Sequence, residues 1–177
     1  HDELAKHYLA RLLESRGEAK TGYELFQSLQ VDVMFLPTTT PSGSSPLGLL
    51  APMCTTTTLL EVFWNQPHRQ DLRECLFKLL WVQKQLYKTA RREKKRLREE
   101  SLPKLWLLTT SASQALLSGF HAKTKPASWG QGIYFLGDSL KTALVAINQL
   151  PVTPETAVCR DQLSPSYGQW GTGNDSF

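Results

Sequence analysis

Apolar positions recur along this chain with two different periods, and the switches between them mark its elements. Leu4, Tyr8, Leu9, Leu12 and Leu13 repeat every three to four residues, the spacing that puts side chains on one face of a helix. Asp2 stands where a capping residue would, and Gly17 where such a helix would stop. Residues 18–26 then read as a short strand and residues 31–36, Val-Asp-Val-Met-Phe-Leu, as a stronger one. In the second, alternation puts Val31, Val33 and Phe35 on one face and Asp32, Met34 and Leu36 on the other. Residues 38–46 are rich in Thr, Pro, Ser and Gly without periodicity, which predicts a loop. A third strand is predicted within 55–64, with Thr58, Leu60 and Val62 opposite Leu59, Glu61 and Phe63.

From Pro67 the helical period returns: Leu72, Leu76, Leu79, Leu80, Gln83, Leu86, Tyr87 and Ala90 trace one face. The stripe fades into Arg-Arg-Glu-Lys-Lys-Arg at 91–96, so the helix is expected to outrun the core until Pro103. Residues 105–108 and 132–136 read as buried strands, and 111–117 as a short helix stopped by Gly119. Residues 143–150 are an apolar segment whose type is ambiguous, closed by Pro151 and Pro154. The order predicts one α/β domain, in which three consecutive strands form a meander and the strand after the long helix joins by a crossover. Residues 1–156 are assigned to that domain; 157–177, rich in Ser, Gly, Gln and Asn, are expected to be a disordered polar tail.

Composition narrows the class. A chain of 177 residues with 41% hydrophobic and 20% charged residues can bury a core of its own. Its apolar runs are too short to span a bilayer, and its N-terminal stretch is amphipathic, without the apolar region of a signal peptide. Cys54, Cys75 and Cys159 are widely spaced and form no CxxC or Cys/His pattern, which argues against a disulfide framework or structural zinc. Buried thiols in a reducing compartment fit better, so a cytoplasmic location is expected. Neither a G-x-S-x-G elbow nor a glycine-rich phosphate loop is present. His7, His68 and His121 have no spacing that suggests a catalytic pair.

Charge is uneven. The chain carries +4 overall, yet residues 68–104 hold twelve Lys/Arg against five Asp/Glu, a local net charge of +7. A basic stripe of this kind is the electrostatic footprint of a phosphate-backbone binder, and also of a solvated helix end. Arg91, Arg92, Lys94, Lys95 and Arg96 are the nucleic-acid-binding candidates it supplies.

Two acids interrupt apolar strands. Asp32 lies within Val-Asp-Val and Glu61 within Leu59-Leu-Glu-Val-Phe63, where a carboxylate is costly to bury unless paired, protonated or bound to a cation. On neighbouring strands of a meander the two can face each other, and a divalent cation would relieve their repulsion. Oxygen-only ligation by one or two carboxylates suits Mg²⁺, so Asp32 and Glu61 are the metal-ligand candidates. Glu24 could add a third carboxylate from the preceding strand. Against this stands a plainer expectation, that each acid is solvated or paired with a basic residue.

An Asp in a hydrophobic second strand, a third strand carrying Leu-Leu-Glu-Val-Phe, a long helix and a further strand resemble the PD-(D/E)XK nuclease-like superfamily. More narrowly, HDELAKHYLARLL, VDVMFLP, LGLLAPM, LLEVFWNQP, ECLFKLLWVQ, LPKLWLLTTSAS, GIYFLG and INQLPVTPET resemble a set of cyanobacterial proteins of transposase-nuclease type. The resemblance implies an αβββαβ restriction-endonuclease-like core, a mixed sheet flanked by helices, with catalytic acids at Asp32 and Glu61. It further implies Mg²⁺ as cofactor and DNA as partner. The motif's final residue is Lys in the family and Phe63 here; Arg69, Arg73 and Lys78, on the following helix, are the candidates to replace it. Three readings follow: a metal-dependent DNA endonuclease, a catalytically silent module that binds nucleic acid or protein, and a homodimeric scaffold paired through the long helix.

Overall fold

The computed structural model describes residues 2–26, 29–38 and 47–163. Its centre is a six-stranded mixed sheet in the order β1-β2-β3-β4-β6-β5. Strands β1 (Gly17–Phe26), β2 (Leu29–Pro37) and β3 (Thr58–Phe63) form the antiparallel meander that the alternating segments predict. Helix α3 (Arg69–Arg92) then carries the chain across one face to β4 (Lys104–Thr109), which pairs parallel to β3 from Thr58↔Lys104 to Phe63↔Thr109. The ambiguous segment at 143–150 is a strand, β6 (Thr142–Ala146), followed by a 3-10 turn, Ile147–Gln149. It inserts between β4, to which it is parallel, and β5 (Ile133–Phe135), to which it is antiparallel.

Helices cover both faces. On one side α1 (Asp2–Leu13), the short α2 (Leu50–Met53) and α5 (Ala157–Gln162) enclose a core of Leu9, Leu13, Phe35, Leu50, Leu60, Trp106 and Val145. On the other, α3 and α4 (Gln114–Gly119) cover Leu59, Leu72, Leu79, Leu105, Leu107 and Leu144. Ser113 caps α4 by accepting the Leu116 N–H at 3.2 Å. All three cysteines are free and buried, and among the described residues no helix is long and apolar enough to cross a membrane.

Three expectations are corrected. Val31 does not share a face with Val33 and Phe35; it packs in the α3-side core while they pack in the α1-side core. Strict alternation fails beside Asp32, just where the ladder between β2 and β3 ends at Val33↔Leu60. The long helix stops at Arg92 instead of running on to Pro103. Lys94 adopts φ 53, and the N–H groups of Lys94 and Lys95 return to the carbonyls of Arg91 and Ala90, the paired bonds of a Schellman stop. The residues from 157 onward do not open as a disordered tail: α5 buries Cys159, Leu163 is buried behind it, and Arg160 donates to the Leu150 carbonyl at 2.6 Å. Residues 164–177 lie outside the described residues, as does all of the predicted loop over 38–46 except Thr38. Finally, α2 had no counterpart among the predicted elements, because four residues are too few to show a period.

Gly132 stands where a side chain has no room. Gly132 precedes β5 with φ +85, and a Cβ there would sit 2.9 Å from both the Gln149 carbonyl carbon and the Leu150 nitrogen. Gly132→Ala is therefore expected to lower the unfolding free energy by about 2 kcal/mol, measurable as a shift in the urea midpoint at constant m-value.

Candidate active site

The end of the β2–β3 ladder creates the site. One step beyond Val33↔Leu60 the register would set Asp32 opposite Glu61. There a side chain takes over from the backbone: the Val62 N–H donates to Asp32 Oδ2 at 2.9 Å. The other carboxylate oxygen of Asp32 lies 3.2 Å from Lys6 Nζ, on α1. Lys6 also reaches Glu3 at 3.4 Å.

Glu61 is the more deeply buried acid, 3% exposed. Its Oε1 accepts a hydrogen bond from Lys78 Nζ at 2.8 Å. Burial pushes the Glu61 carboxyl up to about 7; the Lys78 charge pulls it down, and the Asp32 charge pushes it up again. Lys78 feels the reverse. Burial lowers it, but the charge and hydrogen bond of Glu61 outweigh that and hold it above its ordinary value. The Asp32 and Glu61 charges are thus coupled, and each has one lysine.

These groups open into a cavity of about 250 Å³ shared by Asp32, Glu61, Phe63, Asp71, Glu74, Cys75 and Lys78. Phe63 occupies the position on β3 expected for the motif lysine, and the ammonium enters instead from α3, one turn beyond Glu74. Asp71 is committed to the start of α3, accepting the His68 N–H at 2.6 Å. Glu74 accepts from Gln70 Nε2 at 3.0 Å. Burial raises the Cys75 thiol, with the Glu61 charge adding to the effect, so this cysteine is a neutral wall of the cavity and not a nucleophile.

The other candidates distribute as follows. Glu24 is exposed on β1, opposite Gln30, whose amide donates to it at 3.2 Å; it does not join the pair. Arg73 lines a wider groove beside the cavity, of about 670 Å³, with Leu29, Gln30, Phe77 and Lys78. Arg69 sits at the first position of α3 and points to the Ala115 carbonyl at 3.5 Å. Arg91 and Arg92 end α3, while Lys94, Lys95 and Arg96 follow it in exposed non-helical chain. Thirteen residues separate Lys78 from Arg91, so this basic run lies about 20 Å along the helix from the cavity. For the scaffold expectation, the outward face of α3 exposes Phe77, Leu80 and Tyr87.

Lys6 is the residue that sequence reasoning missed. A signal was present: Lys6, Leu9, Ala10 and Leu13 have the spacing of one helix face, so a lysine stood at a core-facing position. Asp71 and Glu74 give no comparable sign, since acids in the first turns of a helix are ordinary. Among the described residues no group of three or more His, Cys, Asp or Glu is arranged to hold a metal ion. Comparison with protein-family models, with curated proteins and with solved structures finds no match.

Proposed function

We propose that this chain is a metal-dependent, DNA-cleaving domain of nuclease type, in which Asp32 and Glu61 hold Mg²⁺ and Lys78 takes the part of the missing motif lysine. The observation that carries the reading is the meeting of Lys78 with Glu61 at 2.8 Å, in the cavity that Asp32 also lines. Acid, acid and lysine come together although Phe63 holds the strand position. The donor chemistry fits the cation: two electrostatically coupled carboxylates are the small oxygen set that Mg²⁺ accepts while keeping several waters. When bound, it would lower the pKa of a coordinated water and offset charge developing on the phosphate.

The chain's own groups supply the rest. The Val62 N–H fixes the Asp32 carboxylate, and burial between β3 and α3 fixes Glu61. Lys78 would leave Glu61 to donate a charge-assisted hydrogen bond to a phosphate oxygen. Arg73, in the adjoining groove, would hold the neighbouring backbone, and the run from Arg91 to Arg96 would bind phosphates further along by counterion release.

One observation favours a second reading. Lys6 and Lys78 already neutralise Asp32 and Glu61, as they would in a silent descendant whose network only supports the fold.

The deciding experiment incubates the protein with plasmid and linear DNA in Mg²⁺, Mn²⁺ or EDTA, beside folded Asp32→Ala and Glu61→Ala. Cutting that needs metal and is lost in both variants is the expected result. Because Glu61 is held protonated below about 7, a proton competes with the cation there, and Mg²⁺ should raise the melting temperature more at pH 8 than at pH 6. A folded wild type that neither cuts nor responds to either metal at pH 8 establishes the silent reading.

A further inference from the structure

A second cavity, of about 490 Å³, lies at the opposite end of the parallel strands, where β4 and β6 begin. It is separate from the acid pair in both directions. Glu61 is registered with Leu107, three residues further along β4 than Lys104, about 10 Å away along the strand. Trp106, in the wall, packs in the α1-side core, whereas Glu61 meets α3.

Aromatic rings, three lysines and one carboxylate, Asp138, line this cavity. Trp106, Trp129 and Phe135 form a continuous aromatic wall, with ring centroids 5.0, 5.7 and 5.5 Å apart. Lys104, Lys125 and Lys141 bring three ammonium groups to the same space. Lys104 starts β4 and Lys141 immediately precedes β6, and the two are joined where the Leu105 N–H donates to the Lys141 carbonyl at 2.9 Å. Lys141 is also held at φ 49, a conformation that a non-glycine residue adopts at a cost.

The balance of charge is unfilled. Lys125 pairs with Asp138 at 2.7 Å and Lys141 with Glu99 at 3.3 Å, both through exposed acids, so both bridges are weak and easily exchanged. Lys104 has no carboxylate among the described residues; its nearest polar partner is the Thr55 hydroxyl at 3.4 Å. Burial lowers Lys104 from its ordinary value, and the Lys141 charge lowers it further. An arriving anion would relieve both lysines.

We infer that this cavity binds a nucleotide, its base against the Trp129–Phe135 wall and its phosphate between Lys104 and Lys141. A planar ring carrying an anion uses both halves of the lining. Lys125 Nζ already lies 4.8 Å from the centroid of the Phe135 ring, so inorganic phosphate alone would leave Trp129 unused, and an unphosphorylated ring would leave Lys104 unmatched. The group can come from a free nucleotide or from the phosphorylated end of a strand. The inference does not depend on the acid pair.

The test titrates the full-length protein by calorimetry with nucleoside 5′-monophosphates, the corresponding nucleosides, inorganic phosphate and a 5′-phosphorylated single-stranded tetramer. Saturable nucleotide binding is expected, at least about tenfold tighter than nucleoside or phosphate, as loss of one charge-assisted contact implies. Lys104→Gln and Lys141→Gln should each weaken it about tenfold, with melting temperatures near wild type. Trp129→Leu should weaken it as well, and Trp129→Phe should largely restore it, separating ring stacking from a loss of fold. A tighter tetramer assigns the site to strand ends, and a tighter mononucleotide to free nucleotides. No saturation by either, equal binding of inorganic phosphate, or affinity untouched by both lysine substitutions overturns the inference.

Discussion

Lys78→Met is expected to cost about 1.4 kcal/mol more stability at pH 8 than at pH 5. The reason lies in the proton on Glu61. In the unfolded chain its carboxyl ionises near the ordinary 4.5, in the folded chain near 7. Between those values folding takes up a proton, so wild-type stability falls as pH rises and the loss is complete above about 7. Lys78 stays charged throughout, because Glu61 holds it above its ordinary value. At pH 8 it is therefore the group that compensates a buried carboxylate; with methionine the carboxyl keeps its proton instead, at about 1.4 kcal/mol for the one pH unit above 7. At pH 5 the carboxyl is neutral and little remains to compensate. Urea unfolding of both proteins at the two pH values measures the difference, and Glu61→Gln in the same series should flatten the wild-type profile. A Lys78→Met penalty equal at both pH values would mean that Lys78 acts through its packing alone. In the nuclease reading the same substitution also lowers cutting by about a hundredfold, the scale of losing one donor to a transition-state oxygen.

Trp106→Ala is expected to lower stability by about 4 kcal/mol. The indole is 3% exposed, touches the Trp129 and Phe135 rings, and donates its N–H to the Met53 carbonyl at 3.2 Å. Alanine removes the largest side chain of the α1-side core, leaves a carbonyl without its donor, and withdraws the support of the aromatic wall. Trp106→Phe keeps most of the buried area and should cost about half as much. Chemical denaturation separates the two variants, and equal effects would assign the loss to the hydrogen bond instead of the packing.

How much of this was legible depends on whether the relevant partner is near in sequence. The meander and its two acids were readable, because alternation within 31–36 and 58–63 exposes a carboxylate in an apolar run. The stripe of α3 was readable only in part: Leu72, Leu79 and Gln83 are buried as it predicts, but Leu80 and Tyr87 are exposed, and Cys75 and Val82, which it omitted, are buried. The end of the helix was not readable: Lys94 takes the left-handed position that a glycine would have announced. The exception at Val31 escaped because it follows from the side chain of Asp32 replacing a ladder bond to Val62, a tertiary event. The placement of β6 between β4 and β5 depends on pairing between distant segments, which no local pattern encodes. Lys78 stood among three basic candidates on α3, and only packing selects it; Arg73 and Arg69 also carry a positive charge, about one and a half and two and a half turns earlier. The lysine-rich cavity was invisible, since Lys104, Lys125 and Lys141 come from three separate segments.

The early stop of α3 makes the crossover the most accessible covalent link between the chain's two halves. Residues 91–96 are exposed throughout, and five of the six are basic, so a protease of trypsin-like specificity would meet this stretch readily. A nick there would leave Asp32, Glu61 and Lys78 together on one fragment, and Lys104, Trp106, Lys125, Trp129 and Lys141 together on the other. The parallel ladder from Thr58↔Lys104 to Phe63↔Thr109 would bind the fragments to each other. The molecule is in this sense divisible, with the acid pair and the aromatic cavity encoded on opposite sides of one surface loop.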